Sequence, residues 1–380
     1  MQKNNFPDIF YIGTKSLPTN HPDIMPSEGI YAFSLNSSGK ITSLGLAAEA
    51  KSPAFLAKHP TLDIFYCIAD SENPQRKDGM VISFRRDPLT NRLQRINSLH
   101  TEGAGATHLS VHPHGKYLFT ANFHSGTASC FTLNPDGSLG TLMNLITLHG
   151  HGPNKSRQSA SHPHWIHADP TGKYILLCDL GADRIYSFHL NDTKSAWIPN
   201  ENQPYATVSS GAGCRHGAFS DDGRYLFILN EISCTLDIFS FCSSSGILTN
   251  IHSAATLPSE FCGENKSAGI CLHPSGKFLY LSHRGADIIT TLSMTFPENF
   301  IPDSGLSISP VTHAKFFHSG GKFPRFILLN PSGRFLLVCN KKSHHVQIFH
   351  VDPNTGALTP TDHTSVPWPV GGVFAENFLS

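Results

Sequence analysis

Five residues in this chain combine types that could do chemistry together: Arg215, Arg284, Arg325, Glu231 and His164. Arginine guanidinium groups are planar forks that suit carboxylate or phosphate oxygens. A glutamate or a histidine can accept and return a proton. Placed side by side, these groups would make an anion-binding, acid–base site, with either Glu231 or His164 eligible as the base. His216 and His108 are candidates to line such a site, and Arg157, in the polar stretch 149–160, is a candidate to reach a ligand. No metal and no other cofactor is expected. Three arginines would repel a cation, and the pairs His149/His151 and His162/His164 have no cysteine or acid to complete a zinc set.

What would bring these residues together is a repeat. Segments 112–122, 169–179, 220–230, 273–283 and 330–340 share one pattern: a short turn ending in Gly-Lys or Gly-Arg, then an aromatic residue and an apolar run. A degenerate copy occupies 59–70. The turn glycines Gly115, Gly172, Gly223, Gly276 and Gly333 are spaced by 57, 51, 53 and 57 residues. A period near fifty residues signals a propeller or a similar array. Each repeat reads as four strands: a short one before the turn, the apolar run, an alternating strand, and a fourth after a second turn. That second turn recurs near Gly39, Thr90, Gly137, Thr193, Gly246, Asp303 and Gly356, which makes seven repeats. The first repeat has only three strands, and the tail offers one spare strand over 366–374. The expectation is all-β: a seven-bladed β-propeller of four antiparallel strands per blade, one domain over 1–380, its ring closed by the C-terminal strand.

Aligning the repeats on the turn glycine gives a register. Eight residues before it, at the start of the inner strand, stand Thr107, His164, Arg215, Ala268 and Arg325. Eight residues after it, at the end of the neighbouring strand, stand Phe123, Leu180, Glu231, Arg284 and Lys341. Antiparallel pairing lays these two sets side by side at one channel mouth. The plainer reading is an Arg215–Glu231 salt bridge that pins the rim, but buried arginines need a partner or an anion, and a ring of them is not what a folding core requires. Asn122, Asp179, Asn230 and Asn340, one residue earlier, are expected to bond the local backbone. Lys341 and Lys342 are expected to face solvent.

Composition narrows the field. Lys+Arg and Asp+Glu balance at 28 each, so no global field draws the chain to nucleic acid or to a membrane surface. Charged residues are only 15% of the chain, which argues against disorder. There is no apolar leader and no run long enough to span a bilayer. The nine cysteines show no paired spacing and read as free thiols in a reducing cytoplasm. A monomer or weak homo-oligomer acting on a small anionic substrate is expected.

The motifs GPNKSRQ at 152–158, His162-Pro163-His164, Arg215-His216, Asn230-Glu231, His283-Arg284-Gly285 and Lys322-Phe323-Pro324-Arg325 resemble the lactonase family of seven-bladed propellers. That family includes propeller-type 6-phosphogluconolactonases and the carboxymuconate-lactonizing enzyme. The resemblance implies a metal-free site of one His, two Arg and a Glu, matching His164, Arg215, Arg284 and Glu231, with Arg325 assisting in anion binding. It departs at Cys214, at 159–161 and at Phe326. It implies hydrolysis of an anionic sugar lactone, foremost 6-phosphogluconolactone of the pentose phosphate pathway. The alternatives are lactonization of a muconate-type diacid, or a non-catalytic binding module.

Overall fold

A computed structural model describes residues 7–16, 26–73, 75–191, 196–296 and 309–376. The turn markers Thr193 and Asp303 lie outside them. Among the described residues the strands form seven antiparallel sheets. Blade 1 joins Asp8–Thr14, Gly29–Leu35 and Ile41–Glu49 to the C-terminal strand Pro369–Phe374. Blades 2 to 7 follow in chain order, with inner strands Phe55–Lys58, Ala106–Val111, Pro163–Ala168, Cys214–Phe219, Ser267–Leu272 and Pro324–Leu329. Blade 4 departs from the four-strand expectation. A short fifth strand, Tyr205–Thr207, pairs with Arg184–Asn191 beside Ala196–Pro199.

The second strand of each blade is buried on both faces, which is why it reads as an unbroken apolar run. In blade 5, Leu226 and Ile228 enter the core shared with blade 4, while Tyr225, Phe227 and Leu229 enter the core shared with blade 6. Successive side chains point to opposite faces of a strand, so one run feeds two cores. The pattern recurs between all neighbouring blades, including blades 7 and 1, where Phe10, Phe33, Leu337 and Val346 share a cluster.

The turn glycines have two reasons to be glycine. Gly172 has φ +75°, which an L side chain adopts only under strain, and a Cβ there would lie 2.7 Å from His112 Cε1. The imidazole sits so close because it clasps the next blade. His112 Nε2 donates to Gly172 O at 2.8 Å, as His59 does to Gly115 O at 3.1 Å and His273 to Gly333 O at 3.2 Å. Part of the histidine content is therefore a device for joining blades.

Closure of the ring rests on Phe10↔Phe374 through Gly13↔Gly371 pairing, with the Phe10 and Phe374 rings 5.4 Å apart. Deleting residues 365–380 would leave the Asp8–Thr14 strand with an open edge and uncover its apolar neighbours. Such a chain is expected to elute as aggregate in size-exclusion chromatography. A monodisperse truncation with an unchanged Tm would contradict closure as a requirement for one cooperative unit.

Candidate active site

The inner strands do not pair evenly with their neighbours. In blade 5, Cys214 opposes Asn230 and His216 opposes Leu229, so Arg215 has no partner across the ladder. The same slip leaves Thr107, His164 and Arg325 unopposed in blades 3, 4 and 7. In blade 6 it spans Ala268 and Gly269. A bulge of this kind turns a side chain away from the regular alternation. Here it sets Thr107, His164, Arg215 and Arg325 apart from the ladder at corresponding points of four blades.

Glu231 is the hub. It follows the last residue of the strand Tyr225–Asn230, and its backbone is held on both sides: its N–H donates to Gly213 O at 2.8 Å, and its carbonyl accepts from Ser267 N at 3.1 Å. Its carboxylate is 1% exposed. Arg215 Nε donates to Oε2 at 2.9 Å, and Arg284 Nη2 lies 2.8 Å from the same oxygen. Arg157 Nη2 donates to Oε1. The guanidinium groups are braced in turn. Arg215 Nη1 reaches Ala268 O at 2.6 Å, and Arg284 reaches Lys266 O at 3.1 Å and Ser267 O at 2.9 Å. Burial pushes the Glu231 carboxyl up, but Arg284, Arg215 and Arg157 outweigh it and hold the group at about 2. It is an anion at neutral pH.

Beside this hub lies a chain of rings. His164 and His216 are 5.1 Å apart, His216 and His108 are 5.6 Å apart, and His108 meets Phe55 at 4.3 Å. All three imidazoles are buried. Burial holds the His164 pKa well below 6.5, and Arg215, Arg325 and Arg284 push the same way. His164 is thus a neutral base at neutral pH, and its Nδ1 is buried without a hydrogen bond to another described residue. Burial likewise lowers His216, reinforced by Arg215, and lowers His108, reinforced by His167.

The register therefore brings Arg215, Glu231, Arg284 and His164 to one mouth, with Arg157 added from its loop and His216 and His108 extending inward. Arg325 stands there partly exposed and makes no hydrogen bond or ion pair with a described residue. Lys155, by contrast, is exposed in the loop. One expectation needs correction. Lys342 is exposed, but Lys341 is partly buried, with Nζ 4.9 Å from the Trp368 ring and 5.7 Å from Phe323. The 3-10 turn Lys341–Ser343 folds it back over those rings. Of the recurring amides and acid, Asp179 accepts from the backbone of His162 and Gly181, and Asn340 reaches Ser319 O. Asn230 differs, bonding the side chains of Thr235 and Asp237.

Phe123 occupies in blade 3 the register that Glu231 holds in blade 5. Its ring stacks on His162 at 4.3 Å, meets His164 at 5.7 Å, and lies 5.5 Å from Arg157 Cζ. Phe326, at a departure from the family motif, packs edge-on against Phe55 at 5.6 Å. Among the described residues, no group of three or more His, Cys, Asp or Glu side chains is placed to hold a metal ion.

A propeller whose mouth carries a buried carboxylate, several guanidinium groups and a neutral imidazole is built to receive an anionic or strongly polar carbonyl compound. The comparisons agree with that class. Residues 10–374 match the family "Lactonase, 7-bladed beta-propeller", and the chain belongs to it. It is 28% identical over 346 residues to the 6-phosphogluconolactonase of Bacillus subtilis (strain 168), covering 90% of this chain and 93% of that protein. The periplasmic gluconolactonase of Pseudomonas aeruginosa superposes with a TM-score of 0.85 at 25% identity, covering 97% and 99% of the two chains. A Lactobacillus plantarum protein gives 0.85 at 26% identity, covering 97% and 100%.

Proposed function

We propose that this chain hydrolyses a sugar lactone, foremost 6-phosphogluconolactone. The observation that carries the reading is the neutral His164 beside guanidinium groups braced by Glu231. A bound water would attack the lactone carbonyl carbon while His164 takes its proton. The forming oxyanion would lie against the remaining N–H groups of Arg215 and Arg284, whose positions are fixed before substrate arrives. Collapse breaks the ring C–O bond, and the proton passes from His164 to the leaving oxygen. Glu231 does not serve as the base, because a carboxylate held at about 2 is a poor proton acceptor at neutral pH. It is the positioning residue for the arginines. Arg325, which makes no hydrogen bond or ion pair with a described residue, is left to meet the substrate's own charge.

A pH-stat assay with 6-phosphogluconolactone and glucono-lactone tests the reading, run before and after exhaustive EDTA treatment. Turnover that survives chelation is expected from the cationic mouth. No hydrolysis of either lactone, or activity that needs added metal, would overturn it. No described helix is long and apolar enough to cross a membrane. All nine cysteines are free, and seven of them are wholly or partly buried, which supports a cytoplasmic, reducing location.

A further inference from the structure

Against the active site lies a cavity of about 380 Å³ between blades 6 and 7. Its lining includes Arg284, Lys266, Lys322, Lys342 and Phe323. The carboxylates facing it are Glu264 and Asp287, and Asp287 is already engaged, its Oδ1 accepting the Phe323 N–H at 2.7 Å. None of Lys266, Lys322, Lys341 or Lys342 forms an ion pair among the described residues. Cations instead gather on one ring. Arg284 Cζ, Lys341 Nζ and Lys342 Nζ stand 5.5, 5.7 and 4.9 Å from the Phe323 centroid. Phe323 itself has φ +62°, a strained conformation for a bulky L residue. Strain of this kind concentrates at ligand-binding positions.

Arg284, Lys266, Lys322 and Lys342 face two carboxylates across this cavity, Glu264 and Asp287, so positive charge is in excess there. The geometry points to a phosphate subsite in this cavity, taking the phosphoryl group at the far end of the lactone whose carbonyl is attacked beside Glu231 and His164. Arg284 is the shared wall. Its Nη2 is held by Glu231 on one side, and its guanidinium lines the cavity on the other. Lysine suits this end of the substrate because an ammonium meets a phosphate as a point charge from several directions, whereas the carbonyl end is served by rigid forks. Lys341 and Arg325 add positive field from the mouth.

The inference rests on the lactonase reading for the reacting end, so the test separates the two. The variant Lys322→Met/Lys342→Met alters exposed side chains that the fold does not need. Two readouts are compared with wild type: the ratio of kcat/KM for 6-phosphogluconolactone over glucono-lactone, and the calorimetric affinity for 6-phosphogluconate over gluconate. Both ratios should fall about 10–100-fold, the scale of losing charge-assisted hydrogen bonds to phosphate, with the loss appearing in KM rather than kcat. If both lactones turn over but the two ratios stay within twofold of wild type, the subsite is wrong and the lactonase reading stands. If neither lactone turns over yet 6-phosphogluconate binds in preference to gluconate and the variant abolishes that preference, the subsite stands and the lactonase reading fails. A wild-type protein without any preference for the phosphorylated ligand overturns the subsite outright.

Discussion

His164→Asn should lower kcat by about 10²–10⁴-fold, the contribution typical of general acid–base catalysis, and should leave Tm almost unmoved. The reason for the second half is that no side chain of another described residue bonds to His164 Nδ1, so the substitution strands no partner there. The pH profile carries its own signature. Burial and then Arg215, Arg325 and Arg284 hold this imidazole well below 6.5. A base must be unprotonated, so kcat should be level through neutral pH and fall only as the pH drops through the depressed value. A wild-type rate in His164→Asn, or a decline centred at or above 6.5, would remove His164 from the mechanism.

Glu231→Gln should behave differently, losing stability as well as rate. The substitution keeps the shape but leaves Arg215 and Arg284, which are 2% and 8% exposed, together with Arg157, without their counter-charge. Breaking a buried ion pair from one side costs about 3–5 kcal/mol, and arginines that repel one another no longer present a fixed cradle. We expect a Tm several degrees lower and a kcat reduced by at least the roughly 10²-fold of a lost oxyanion donor. The sign of the acid dependence follows from the carboxyl value. The folded pKa, about 2, lies below the ordinary 4.5. The stabilisation from this group is therefore fully present above that ordinary value and is lost as pH falls through the folded one. That part of the acid destabilisation should vanish in the variant. A Glu231→Gln protein with wild-type Tm would show that the carboxylate does not hold the arginines in place.

The register of the repeat was enough to bring Arg215, Glu231, Arg284 and His164 to one place, because strand pairing converts a count of residues into a position. It was not enough where position depends on a loop or on a local turn. Arg157 sits in an irregular stretch with no strand to index it, so its charge and its place in the GPNKSRQ motif marked it as a candidate without revealing its contact with Glu231. Lys341 carries the right count, but the 3-10 turn after Asn340 decides that its stem lies over Trp368 rather than in solvent. The cavity beside Phe323 was hidden for a related reason: Lys266, Lys322 and Lys342 come from segments flanking the strands, not from the repeat itself. The extra strand Tyr205–Thr207 in blade 4 had no counterpart in the other repeats and could not be found by comparing them.

The uneven pairing at the start of the inner strands has a consequence for how such a protein can change. A residue with no partner across the ladder can be exchanged without re-pairing the strands, because the ladder pairs on either side of it do not pass through it. Chemistry and architecture are thereby written in separate letters of the same strand. A lineage could trade threonine for histidine or arginine at these points, one blade at a time, and change what the mouth accepts without changing the strand pairing.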